Sequence, residues 1–111
     1  MDLLFNPDHQ IMMHSLNLCE TFYHFWRQVG HARANIVLQD LVALGVESFD
    51  ELDPSIWKKT AQLKTKYRPL ALGDAVGVAL SSSINGIFVT SDRKELTQLA
   101  EDGICKFLFI R

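Results

Sequence analysis

Charge excess, a cysteine framework, long apolar runs and the common nucleotide-binding signatures are all missing from this 111-residue chain. Its 11 Lys and Arg against 13 Asp and Glu leave a formal net charge of -2. A dedicated duplex-binding protein carries a basic excess, so tight sequence-independent DNA binding is not expected. Transient RNA binding through a local basic patch stays open. The 2 cysteines, Cys19 and Cys105, sit in apolar stretches without metal-ligand spacing. One pair makes no disulfide framework, so buried free thiols in a reducing cytosol are expected. No run approaches the roughly twenty apolar residues that cross a bilayer. Met1 is followed at once by Asp2, with no basic region ahead of an apolar core. A soluble, cytoplasmic protein with no membrane partner is the expectation. P-loop, GxGxxG and nucleophile-elbow patterns are missing, and His9, His14, His24 and His31 have no zinc spacing.

What is present is alternation. After a short apolar scrap (1–5) and a turn around Pro7 (6–9), residues 10–14 read as a short strand. Leu16, Cys19, Phe22, Tyr23 and Trp26 recur at three- and four-residue steps, predicting an amphipathic helix capped by Ser15 or Asn17 and stopped by Gly30. A second helix is expected over 31–44, with Ile36, Val37, Leu41 and Leu44 as its buried set, and a strand over 46–49. Asp53-Pro54 opens a third helix with an N-cap and a proline at the first helical position. Ile56, Trp57, Ala61 and Leu63 give that helix an apolar side. Lys58, Lys59, Lys64, Lys66 and Arg68 make the rest basic, either a solvated face or a phosphate-facing patch. Pro69 breaks it.

Residues 70–80 are uncharged except for Asp74 and predict a buried fourth helix. A turn-rich link (81–86), a strand (87–90), a helix (93–100) and a last strand (105–110) follow. Trp26, Trp57 and Phe22 sit at helical periods and read as core rather than as base-stacking platforms. Strands alternating with helices argue for a single α/β domain with a parallel sheet flanked by helices.

Three acids stand out by position. Glu20 flanks an apolar helix face, Asp74 heads a buried helix, and Asp92 follows a strand at its C-terminal end, where ligands collect in open parallel sheets. Hard divalent cations take such oxygen ligands. Each acid also has a plainer reading. Asp74 suits the first turn of a helix through the dipole. Asp92 and Glu95 resemble a capping box. Glu20 sits within reach of Arg27 or solvent.

In this order, Asn17-Leu18-Cys19-Glu20-Thr21-Phe22-Tyr23, Leu70-Ala71-Leu72-Gly73-Asp74-Ala75 and Val89-Thr90-Ser91-Asp92 resemble the acid-bearing segments of PIN domains of the VapC toxin type. The likeness covers roughly residues 9–111, and it lies in the succession of short motifs. It implies a Rossmann-like parallel sheet and a magnesium- or manganese-dependent endoribonuclease. Glu20, Asp74 and Asp92 would be catalytic and hold the metals, with Thr90 or Ser91 supporting them. It also implies an RNA substrate, a cognate antitoxin that blocks the site, and a homo-oligomer. The family's first strand, with its terminal Asp, has no counterpart here, since Asp2 precedes its apolar residues and Asp8 lies in a turn. The resemblance therefore implies an N-terminally incomplete domain, with a weakened or absent metal site and exposed strand edges open to self-association. Three functions follow: a ribonuclease whose site is completed by other residues; a catalytically inactive remnant acting as a protein-interaction module; and, more remotely, a flavodoxin-like domain with an acidic pocket.

Overall fold

The computed structural model describes residues 11–90 and 92–109. The expectations for residues 1–10, Ser91 and Ile110 lie outside them. The chain divides into two compact units, Met1–Glu51 and Leu52–Arg111, and each is described by itself.

In the first unit, β1 (Ile11–His14) pairs in parallel with β2 (Val46–Phe49), in the register Ile11↔Val46 through His14↔Phe49. Helices α1 (Ser15–Val29) and α2 (His31–Ala43) connect them and pack on each other. Gly30 separates the two helices at φ 92°, a backbone angle that side chains resist and glycine adopts freely. The cap of α1 is neither Ser15 nor Asn17. His14 Nδ1 accepts the Leu16 N–H at 3.1 Å, and Nε2 donates to the Glu51 carbonyl at 2.8 Å. That pairing fixes the tautomer and explains why a histidine is buried here.

Burial in this unit is sparse. Of α2 only Ala34 is buried, whereas Ile36 is 52% and Leu44 56% exposed, so the expected buried set is not a core. Trp26 is 49% exposed, and Cys19 is exposed rather than buried. Among the described residues, Leu16, Phe22, Val37 and Leu41 of the expected faces are half-buried, while Tyr23, Trp26, Ile36 and Leu44 stay exposed.

The second unit holds the core. Helix α3 (Pro54–Lys66) starts as expected: Asp53 accepts the Ile56 N–H at 3.1 Å and the Ser55 hydroxyl at 2.6 Å. The Ser55 bond, then the backbone bond to Ile56, hold the Asp53 carboxyl below its ordinary range. The buried face of α3 is Ile56, Thr60 and Leu63, not the expected Trp57 and Ala61; Trp57 lies 47% exposed. Thr60 is tolerated inside because its hydroxyl donates to the Ile56 carbonyl at 2.8 Å.

Helix α4 (Leu72–Ser83) packs on α3 and is buried from Gly73 to Ser81 except at Asp74. It runs through the serines expected to form a turn, and Ser83 returns its hydroxyl to the Leu80 carbonyl at 2.8 Å. Strand β3 (Ile87–Thr90), helix α5 (Arg93–Glu101) and strand β4 (Lys106–Phe109) complete a parallel βαβ unit, in the register Ile87↔Lys106 through Thr90↔Phe109. Leu96 and Leu99 of α5 are fully buried among Leu63, Tyr67, Leu70 and Val78, with Phe88, Phe107 and Phe109 packed against them. Each of the two leucines stabilises the fold by about 2 kcal/mol. Cys105 is half-buried, and desolvation pushes its thiol up to about 11, which keeps it protonated and unreactive.

The described residues thus form the expected mixed α/β fold, with helices between short parallel strands. No helix among them is long and apolar enough to cross a membrane.

Candidate metal centre

The C-terminal end of β3 is where the second unit gathers its acids. Strand β3 is paired through Thr90, and Asp92 is the N-cap of α5. Two hydrogen bonds set that corner. Thr90 Oγ1 accepts the Asp92 N–H at 3.0 Å, and Asp92 Oδ1 accepts the Glu95 N–H at 3.0 Å. A full capping box would send the Glu95 carboxyl back to the Asp92 N–H. Here that N–H goes to Thr90, and the Glu95 carboxyl meets the Asp92 carboxylate instead.

Asp74 joins them from α4. It is the third residue of that helix, where the dipole favours a negative charge, and it is half-buried between buried Gly73 and Ala75. One carboxylate oxygen each from Asp74, Asp92 and Glu95 lie within 4.8 Å of one another, and all three residues are half-buried.

Crowding of this kind has an electrostatic consequence. The Glu95 carboxyl is held above its ordinary range, first by its hydrogen bond to Asp92, then by desolvation, then by the charges of Asp92 and Asp74; Lys94 opposes the shift. Three carboxylates converging from two helix starts form an oxygen-donor set of the sort that suits magnesium or manganese, which need few protein ligands beside water. The donors therefore fit a hard divalent cation.

Among the sequence-derived site residues, Asp74 and Asp92 come together, and Thr90 orients Asp92 through the backbone. Glu20 lies exposed on α1 of the first unit, while the cluster is built within the second unit alone. Ser91 is outside the described residues. In the sequence Glu95 reads only as a capping partner of Asp92. Its spacing held a further signal, because a three-residue step from Asp92 places both carboxylates on one side of the first turn.

The family model described as PIN domain matches residues 2–102 of the chain. No curated protein matches it.

Proposed function

Because the chain belongs to the PIN domain family, we propose that it is a divalent-metal-dependent endoribonuclease that hydrolyses RNA phosphodiesters at Asp74, Asp92 and Glu95. The observation that carries this reading is the convergence of those three half-buried carboxylates at the C-terminal end of a parallel strand. A magnesium or manganese ion held there supplies acidification of a bound water and neutralisation of charge on the phosphate. The chain's own contribution is placement. Thr90 and the α5 cap aim Asp92, and the buried body of α4 fixes Asp74.

One oxygen of Asp92 accepts the α5 backbone N–H, which orients the carboxylate. Glu20 is the ligand that the family resemblance adds. The finer reading is a toxin of the VapC type, acting on cytoplasmic RNA, restrained by an antitoxin and assembling with its own copies.

The test is cleavage of single-stranded RNA by the purified chain with manganese or magnesium. Cleavage should vanish on chelation and in Asp74→Asn, while the circular dichroism of that variant is unchanged. Cleavage that persists in the Asp74→Asn/Asp92→Asn double variant would overturn the assignment.

One observation favours a second reading, a PIN module that docks a protein and does not cleave. Tyr23, Trp26 and Val29 on α1, with Ile36 and Val42 on α2, are 43–72% exposed. Apolar side chains that dense on two adjacent helices are a common mark of a protein-binding surface. Under this reading Trp26→Glu abolishes partner binding, and Asp74→Asn leaves the biological effect intact.

A further inference from the structure

A carboxylate cluster repels the polyanion it is to cut, so an RNA-cleaving site needs cations beside it. Of the basic run on α3, Lys58 lies 5.6 Å from the Trp57 ring and Lys66 5.4 Å from the Tyr67 ring. Lys64 and Arg68 do something else: with Thr65, Pro69 and Leu70 they line an open cleft of about 450 Å³. Lys64 Nζ donates to the Leu70 carbonyl at 2.6 Å, which pins the ammonium against the segment entering α4 and leaves it two further N–H donors. Arg68 and Pro69 are exposed, and no ion pair engages the Arg68 guanidinium among the described residues.

The cleft also has a fixed relation to the carboxylates. Leu70 precedes Asp74 by four residues, so their Cα atoms are at most about 14 Å apart. A nucleotide in the cleft is then a short step along a single strand from a phosphate at the acids. The cleft is open to solvent and of nucleotide size.

We infer that the Lys64–Arg68 cleft seats one nucleotide of single-stranded RNA beside the scissile one, its phosphate on the two cations and its base against Pro69. The role rests on the nuclease reading of the carboxylates. Guanidinium forks suit phosphate oxygens, and the exposed Pro69 ring offers the base an apolar contact.

The experiment measures binding of a fluorescein-labelled single-stranded oligoribonucleotide to the full chain by anisotropy, in chelator and across a salt series. Arg68→Ala should weaken binding several-fold and reduce the slope of log K against log salt by about 0.7, the loss of one phosphate contact on a single strand. Lys58→Ala, a cation outside the cleft, should do neither. Unchanged affinity and slope in Arg68→Ala overturns the inference, as does an equal loss in Lys58→Ala. Because binding is scored without metal, the two readings fail separately. If no metal supports cleavage but Arg68→Ala still weakens binding, the nuclease reading falls and the cleft stands as an RNA-binding site only. If the protein cleaves RNA and Arg68→Ala leaves both binding and KM unchanged, the cleft alone falls.

Discussion

Asp92 Oδ1 accepts the backbone N–H of Glu95 at 3.0 Å while the same carboxylate meets the Glu95 carboxyl. One side chain therefore serves as the cap of α5 and as a member of the acidic cluster. The two roles need different things from it: the cap needs only an oxygen acceptor, and the cluster needs charge.

Substitution separates them. Asn is as good an N-cap as Asp and also relieves the repulsion with Glu95, so Asp92→Asn should melt no lower than the parent, whereas Asp92→Ala loses the cap, at a cost of about 1 kcal/mol relative to Asp92→Asn. Both should lose metal-dependent RNA cleavage by at least about 100-fold, as expected when a metal ligand is neutralised. Thermal melts and single-turnover cleavage measure the two roles independently. A stable and fully active Asp92→Asn would show that Asp92 is a cap alone.

Glu95 should behave in the opposite sense toward stability. Its carboxyl is raised above the ordinary value of 4.5 by Asp92, by desolvation and by Asp74, so its ionised form opposes folding at neutral pH. The sign follows: stability from this group is full below about pH 4.5 and lost as pH rises through the folded value. In chelator, Glu95→Gln should raise the melting temperature at pH 7 and have little effect at pH 4. With manganese, calorimetric titration should show the same variant binding the ion more weakly. A variant that melts lower in chelator at pH 7 would mean the carboxylates do not repel one another in the folded protein.

Much of this architecture can be read from local chemistry. Asp53-Pro54 starts α3, Gly30 ends α1, and the apolar run before Asp92 forms β3, because caps, prolines and glycines act over a few residues. Partnership is harder to read. The apolar stripe of α2 states which side chains favour burial and says nothing of whether another element covers them, and Ile36 and Leu44 remain exposed. The serines after Leu80 look like a turn in isolation, yet burial of Ser81 against the second unit's interior carries α4 through them. Asp74 and Asp92 were legible as acids at privileged positions. The Asp92–Glu95 step is local, but the approach of Asp74 to that pair depends on how α4 and α5 meet, a tertiary relation that no local spacing encodes.

Tyr67 and Asp102 tie the end of α3 to the end of α5 and should set the pH limits of stability. The Tyr67 hydroxyl donates to Asp102 Oδ2 at 2.5 Å. Burial, then the bond to Asp102 and its charge, push Tyr67 from 10.0 up to about 12. Asp102 is held below 3.8, first by Tyr67 and then by Gln98. Stability from Tyr67 is full below pH 10.0 and lost as pH rises through about 12. Stability from Asp102 is present above pH 3.8 and lost as pH falls through its lower folded value. Tyr67→Phe should lower stability by about 1 kcal/mol at pH 7. It should also flatten both flanks of the stability curve, as followed by urea titration at each pH. Unchanged flanks would mean the pair is not formed in solution.

Glu20 decides whether the first unit takes part in the chemistry. It is solvent-exposed on α1, and neutral replacement of an exposed helical glutamate changes stability by no more than about 0.5 kcal/mol. Any large effect on activity is therefore an effect on function. If the family resemblance carries through, Glu20→Gln should reduce manganese-dependent cleavage by at least about 10-fold and weaken manganese binding, with the melting temperature in chelator unchanged. Asp40→Asn, an exposed acid on α2, serves as the matched control and should alter none of these. Should Glu20→Gln cleave like the parent, the ligand set is confined to Asp74, Asp92 and Glu95. The acidic chemistry then belongs wholly to the second unit, and the exposed helices of the first are left for protein contacts.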